Sequence, residues 1–459
     1  MNVNNIIAQT MKEIEGILRE MAEAALLQSE EKTLTIHSME LLMTKAISGI
    51  IQIILVMAGT FLSNAYAVNA HNSKCSKCGR RMVINKRNAE LGILSIFGRI
   101  PIVRDTVLCR PCGEGYGVID RLIKADGKHR MTNGLIDLLA FTGQLIPSFE
   151  KGKEAIKKYL GFTGLTVSHE LIQEVSEEIG KEIFERDETV AEEIYENQHQ
   201  AIEDLPEGKK KDCILYIMMD GSMINIKDIS DPNKSGWKEI KLGVIFTDKD
   251  IFKINPDKNK ILNKRYVSYL GSAEDFKKFV LAAAIEQGYG RIKKVVVIGD
   301  GALWIWNLAK EVFPDAVAYI LDSSHLKENI YQFAEFLYPE DKINQERWAT
   351  EIIDLVHEGN IDEAIERVTA RMPDKLPDNI VNLSHYMNEN KERMRYNEFK
   401  AKGYFIGSGS VESGHKVVVQ QRMKQAGMRW SRDGAQYIAA LRARYQSNMW
   451  DNVSELIAA

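Results

Sequence analysis

Cys213-Ile214-Leu215-Tyr216-Ile217-Met218-Met219-Asp220-Gly221 and Val295-Val296-Val297-Ile298-Gly299-Asp300-Gly301 are short apolar runs that both end in Asp-Gly. Such runs, without polar alternation, read as strands buried on both faces, the kind found inside an α/β sheet. A carboxylate at the end of a buried strand is costly to desolvate unless it has a partner. The glycine that follows allows a sharp exit and close approach by a ligand. One Asp-Gly by itself reads equally as a turn. Two of them, on strands able to lie side by side, bring together two hard oxygen ligands of the kind that favours Mg²⁺ or Mn²⁺.

Around these runs, residues 240–247 and 266–270 read as further strands, 273–288 and 302–312 as helices, and 316–321 as another strand. Three strands followed by alternating helices and strands describe a mixed α/β sheet. Residues 326–403 are charged and helical, an insertion, and a last helical segment runs from residue 411 to the C-terminus with a break at 427–432. Upstream, a charged link over 186–211 with Pro206 and Gly208 marks a domain boundary. Before it, helices at 148–160 and 168–180 have Ser148 and Ser168 as N-caps. They fit either a DNA-reading helix-turn-helix with a long seven-residue link or an ordinary packed pair.

At the N-terminus, Ile6, Ile7, Met11, Ile14, Leu18, Met21 and Ala25 recur at helical spacing, giving an amphipathic helix over 3–28. Its apolar face needs a partner, supplied by residues 38–68 of the same chain or across a dimer. Residues 47–67 are as long as a membrane span, but Ser48, Gly49, Gln52, Gly59, Thr60, Ser63 and Asn64 interrupt them. No dense basic flank fixes an orientation. The preferred reading is a buried or helix-pairing segment; a membrane-associated protein is the rival.

A chain of 459 residues with 45% hydrophobic residues supports two to four domains. The net charge of -4 hides an asymmetry, since residues 71–130 carry 13 Lys/Arg against 5 Asp/Glu and residues 401–459 carry 8 against 4. This suits a polyanionic partner, and equally an ordinary solvated surface. Four of the five cysteines form Cys75-Ser76-Lys77-Cys78 and Cys109-Arg110-Pro111-Cys112. Two C-x-x-C turns complete a tetrahedral site for one structural Zn²⁺, and the 30 residues between them fit a zinc ribbon with an intervening hairpin. Lys74, Lys77, Arg80, Arg81, Lys86, Arg87, Arg99, Arg104 and Arg110 surround it and suit phosphate contact. Cys213 begins an apolar strand and reads as a packing residue. Nothing resembles a secretory signal, so a reducing cytoplasm is expected.

A third carboxylate comes from Gly407-Ser408-Gly409-Ser410-Val411-Glu412-Ser413-Gly414-His415, a Gly/Ser turn leading into a helix. Alone, Glu412 reads as a complement to the helix dipole. Together with Met219-Asp220-Gly221, with Gly299-Asp300-Gly301-Ala302-Leu303-Trp304-Ile305-Trp306-Asn307, and with Gln421-Arg422-Met423-Lys424 beyond it, Glu412 resembles the motifs of DDE insertion-sequence transposases. Gly427-Met428-Arg429-Trp430-Ser431 with Gly434-Ala435-Gln436 is similar to one bacterial group of them. Asp322-Ser323-Ser324-His325 looks like the D/C-x-x-H element of Mutator-like relatives, with serines where that group often has aromatic residues. The resemblance covers about residues 210–450, with a looser match ahead of it.

The reading of the residues gives a multi-domain α+β protein: N-terminal helices (1–70), zinc ribbon (71–130), a helical, helix-turn-helix-like region (131–190) and a linker (191–212). For the rest, the resemblance implies a ribonuclease-H-like α/β catalytic core (213–325 and 404–459) interrupted by an all-helical insertion (326–403). It implies a transposase that cleaves transposon ends and transfers strands into target DNA, with two Mg²⁺ or Mn²⁺ held by Asp220, Asp300 and Glu412. His325 would contact the scissile phosphate or a flanking base, or simply pack at a helix start. Arg422, Lys424, Arg429 and Arg432 are expected to face DNA. Trp304 and Trp306 read as core. The expected partners are DNA and a second copy, at least a dimer on DNA, without stable membrane association, in a bacterial cytoplasm at the nucleoid. The alternative is a catalytically inactive, transposase-derived DNA-binding protein.

Overall fold

Chain entropy is offset here by two separate sets of packed elements. In the computed structural model, residues 3–66, 74–117, 119–120, 129–204, 213–228, 235–255 and 258–458 are described. Contacts divide the chain into one compact unit of residues 1–176 with 454–459 and another of residues 177–453.

In the first unit, α1 (Val3–Glu30) and α2 (Ile36–Tyr66) form a helical hairpin, and α2 also packs on a β-hairpin of β1 (Val83–Ser95) and β2 (Gly98–Leu108). β3 (Gly115–Gly117) adds a third antiparallel strand. Four of the residues that interrupt α2, Gly49, Gln52, Gly59 and Ser63, make contacts outside the helix. Gly49 lets Ile17 of α1 approach, and Gly59 lies against the Pro101 carbonyl. The Gln52 side chain donates to the Thr163 carbonyl at 2.9 Å, and Ser63 Oγ accepts from the Val103 N–H at 3.1 Å. Leu62 packs on the cluster of Leu91, Ile93, Ile102 and Ile119. Other positions stay outside: Ile47, Ile54 and Val56 are exposed, and the span Ile36–Ala65 is long and apolar enough by composition to cross a membrane. α3 (Asn133–Leu145) and α4 (Phe149–Leu160) follow. The Ser148 hydroxyl caps α4 by accepting from Lys151 N–H, and the Ser168 hydroxyl accepts from Leu171 N–H at the head of α5 (His169–Glu196).

α5 corrects one expectation, because the residues from 186 onward that read as a charged link remain helical to Glu196, with a further short α6 (Gln198–Glu203). Glu, Lys and Arg are strong helix formers. Ala191 carries into the charged stretch the buried line of Ile172, Val175, Ile179 and Ile183.

The second unit is built on a five-stranded sheet. Its strands are β4 (Ile214–Lys227), β5 (Ser235–Thr247), β8 (Arg265–Tyr269), β9 (Lys294–Gly299) and β10 (Ala318–Leu321), in spatial order β10-β9-β4-β5-β8. A small hairpin of β6 (Ile251–Asn255) and β7 (Lys258–Ile261), not foreseen from the sequence, lies between β5 and β8 in the chain. β4, β5 and β8 are antiparallel, whereas β9 and β10 run parallel to β4. The parallel strands are buried, with Leu215, Ile217, Met219, Val296, Val297 and Ile298 all at 0% exposure, as their unbroken apolar runs require. Cys213 is buried among them as a packing residue. α7 (Ala273–Glu286) and α8 (Leu303–Val312) supply the crossovers. α9 (Ser323–Leu337), α10 (Lys342–Glu358), α11 (Ile361–Thr369), α12 (Leu383–Glu389) and α13 (Tyr396–Ala401) make the all-helical stretch expected after β10.

The chain then returns across the sheet in α14 (Gly409–Gly414), a π-helical turn at His415–Gln420, and α15 (Gln421–Met423), before α16 (Arg432–Gln446) and α17 (Trp450–Ala458). The π turn is held by the buried Arg442 of α16, whose guanidinium donates to the carbonyls of Val417 and Val418. Close approach to the sheet depends on Gly414: a Cβ there would lie 2.7 Å from the Tyr266 ring and 2.9 Å from Leu242. Gly414→Val is therefore expected to lower stability by about 1–3 kcal/mol through overpacking. At Gly409, where nothing lies within 4 Å of a Cβ, alanine should be near neutral, and the two denaturation midpoints check the contrast.

Candidate active site

Strand register places the first two acids. Met219 of β4 pairs with Gly299 of β9, and Gly299 with Leu321 of β10. The residues that follow are Asp220, Asp300 and Asp322, so three carboxylates stand one step beyond the same line on neighbouring parallel strands. Asp220 differs from its expected place at a strand end: β4 continues to Lys227 by pairing with β5, and only its parallel pairing with β9 stops at Met219. The apolar run ends there because the strand becomes half solvated, not because it turns.

Each acid is oriented by its backbone surroundings. Asp220 Oδ1 accepts from Gly221 N–H at 2.7 Å, and Asp300 Oδ1 accepts from Ala302 N–H at 2.9 Å. Gly301 adopts φ +102 under the Tyr386 ring, a conformation and a clearance that a side chain would not tolerate. Tyr386 of α12 donates its hydroxyl to the Asp300 carbonyl at 2.7 Å, and Tyr396 of α13 donates to the Leu321 carbonyl at 3.0 Å. The helical insertion thus braces the ends of β9 and β10. Trp306 is buried as expected, under the Arg393 guanidinium, and Trp304 packs edge-on against Phe276.

Asp322 is fully buried and caps α9, accepting from Ser324 N–H at 2.8 Å and from the Ser408 hydroxyl. His325, one turn into α9, has Nε2 3.8 Å from Asp322 Oδ2 and Nδ1 3.6 Å from Glu328. Glu412 lies in the first turn of α14. Asp322, His325 and Glu412 each bring one ligand atom within 4.8 Å of the others.

The electrostatics tie these groups together. Burial, then the neighbouring Asp300, push the Asp220 carboxyl up to about 6, with Glu412 adding to the rise and His325 and the Gly221 N–H opposing it. Burial and Asp322 raise Glu412, against the pull of His325. Asp220 is thus coupled to Asp300, Glu412 and His325, and Glu412 to Asp322 and His325, so like charges stand near one another. His415, one turn after Glu412, was not singled out from the sequence. It is 3% exposed with Nε2 3.4 Å from Asp220 Oδ2, and burial lowers it to about 4, so it is neutral at neutral pH.

The basic residues expected to meet DNA divide into two sets. Lys424, Arg429 and Arg432 are exposed. Lys424 Nζ lies 3.4 Å from the Ser222 hydroxyl, and Ser222 shares the Asp220 face of β4. Arg432 donates to the Leu270 carbonyl. Arg422 is corrected: it is 1% exposed, stacks 5.0 Å from the Trp430 ring centre, and is pushed down to about 9 by burial and by Arg442. It is a packing cation rather than a surface one. In the first unit, Arg80, Arg81, Lys86 and Arg87 are exposed on and beside β1. Arg104 is likewise corrected, since its guanidinium is committed to a buried two-point ion pair with Asp120.

Cys75, Cys78, Cys109 and Cys112 bring four sulfurs within 4.8 Å of one another and could hold a metal ion. Each pair sits in a matching turn: Gly79 N–H donates to the Cys75 carbonyl and Gly113 N–H to the Cys109 carbonyl, both glycines at positive φ. Met82, Val107 and Tyr116 pack against the cluster.

Among known proteins, the solved structure of the Drosophila P element transposase strand transfer complex is similar to this chain at 10% identity. The likeness covers 74% of this chain and 84% of that one, at a TM-score of 0.23. No curated protein matches. The model of the Uncharacterised protein family (UPF0236) matches residues 74–455, from the first cysteine turn into the last helix, and the chain belongs to that family.

Proposed function

We propose that this protein is a DNA transposase whose second unit is a ribonuclease-H-like catalytic domain, with Asp220, Asp300 and Glu412 holding divalent metal ions. The observation that supports the reading is the register of β4 with β9, which puts Asp220 and Asp300 at neighbouring positions, with Glu412 near enough to raise the Asp220 carboxyl. The antiparallel β4-β5-β8 and parallel β4-β9-β10 arrangement supports the core that the motifs imply. The donor set fits Mg²⁺ or Mn²⁺, because the acids are hard oxygen ligands whose shared repulsion a cation relieves. When bound, such ions supply Lewis acidity at phosphorus and a reactive oxygen nucleophile at neutral pH.

The chain's own groups do the positioning. Tyr386 fixes the Asp300 loop, neutral His415 sits beside Asp220 inside the fold, and Lys424, on the Asp220 face of the sheet, offers a cation to a DNA phosphate. Arg80, Arg81, Lys86 and Arg87 of the ribbon, with Arg429 and Arg432, offer further phosphate contacts. The four cysteines are assigned to one structural Zn²⁺ that stabilises a ribbon with little core of its own.

Alanine at Asp220, Asp300 or Glu412 is expected to lower strand transfer of end-containing duplex DNA with Mg²⁺ by at least about a thousandfold, the scale of several kcal/mol of lost charge stabilisation. Unchanged activity in all three would refute the assignment.

A pH dependence follows from Asp220. Its folded pKa of about 6 lies above the ordinary 3.8, so its stabilising contribution is complete below pH 4 and lost as pH rises through 6. In metal-free protein, Asp220→Asn should therefore raise Tm at pH 7.5, by the equivalent of up to about 3 kcal/mol. The difference should vanish near pH 4, and thermal denaturation at the two pH values checks it.

Elemental analysis should find one zinc per chain. Cys109→Ser should remove it and unfold the region around β1–β3, because structural zinc contributes on the order of 10 kcal/mol to such folds.

A further inference from the structure

The three-acid reading leaves Asp322 without a role, although it is the most deeply buried acid of the centre, at 0% exposure. A buried carboxylate needs compensation, and two neutral hydrogen bonds, from Ser324 N–H and the Ser408 hydroxyl, supply only part of it. Both contacts also fix its direction. Ser408 immediately precedes the helix of Glu412, so one hydrogen bond locks Asp322 to the segment that delivers Glu412. On the other side stands His325, whose Nε2 is shielded from solvent and makes no hydrogen bond. Its 3.8 Å separation from Asp322 Oδ2 is too long for one.

We infer that Asp322, His325 and Glu412 form a mixed oxygen and nitrogen metal position. It rests on the reading of this centre as a divalent-metal site and gives its two sides different compositions: Asp220 and Asp300 offer oxygen alone, whereas the Glu412 side adds an imidazole. Donors bonded at roughly 2.1 Å to one ion lie up to about 4.2 Å apart. The three donors, all within 4.8 Å of one another, close on such an ion with small side-chain adjustments. Imidazole suits first-row transition ions, whereas Mg²⁺ prefers carboxylates and water. This position therefore selects Mn²⁺ over Mg²⁺. The Ser408 and Ser324 contacts orient the buried ligand, as outer partners do in metal sites.

The test is Mn²⁺ binding to the full-length, zinc-loaded protein, followed by electron paramagnetic resonance, with pulsed measurement of nitrogen coupling to bound Mn²⁺. The expected result is bound Mn²⁺ with directly coordinated ¹⁴N, absent in His325→Gln, whose Mn²⁺ affinity at this position falls about tenfold or more. His415→Gln should keep the nitrogen signal. Bound Mn²⁺ without nitrogen coupling in the parent protein, or coupling that persists in His325→Gln, overturns this assignment and leaves the metal centre standing. Failure of the parent to bind Mn²⁺ overturns both. Should His325→Gln fold poorly, His415→Gln decides in its place: retention of the nitrogen signal supports His325, and its loss overturns the assignment.

Discussion

Negative charge crowded where the parallel pairing of β4, β9 and β10 stops is the constraint around which the second unit is organised. Strand register forces Asp220, Asp300 and Asp322 onto neighbouring positions, and no rotation of one strand can relieve it without breaking the apolar core below. The consequence appears in Asp220, whose proton is held to about 6 by burial and by Asp300. A fold selected for stability alone would place neutral residues there, since each buried acid costs free energy. The proposed metal centre gives those acids a cation to bind.

Other elements hold that arrangement in place. The insertion reaches back with two tyrosine hydroxyls to backbone carbonyls at the ends of β9 and β10, fixing the loops rather than the carboxylates. From the opposite direction, the helical stretch from Gly409 to Met423 lies against the sheet only because Gly414 has no side chain, and its π turn is secured by Arg442. π turns often mark functional sites, because the widened turn redirects side chains. Here the turn begins at His415 and follows the segment carrying Glu412.

Much of this was legible in the sequence, for physical reasons. Unbroken apolar runs gave β4 and β9, and the C-x-x-C spacing anticipated the four-sulfur cluster. What escaped depended on tertiary context. Arg104 and Arg422 read as surface cations because a sequence does not show that Asp120 or Trp430 waits for them. The continuation of β4 past Asp220 depends on pairing with β5, and the short β6–β7 hairpin had too little periodicity to declare itself. Asp322 was visible as part of Asp-x-x-His, yet its standing as a fourth acid emerges only from the register of β10. The interruptions in α2 argued against a membrane span, and four of them, Gly49, Gln52, Gly59 and Ser63, are its contact points with α1, the β-hairpin and the Thr163 turn.

The claim that the centre is built to hold divalent metal is tested most directly by crystals grown with Mn²⁺ and measured for anomalous scattering at the manganese edge. The account predicts anomalous peaks within bonding distance, roughly 2.0–2.4 Å, of carboxylate oxygens of Asp220, Asp300 and Glu412. Full diffraction from Mn²⁺-saturated crystals with ordered carboxylates and no anomalous peak among them would contradict it.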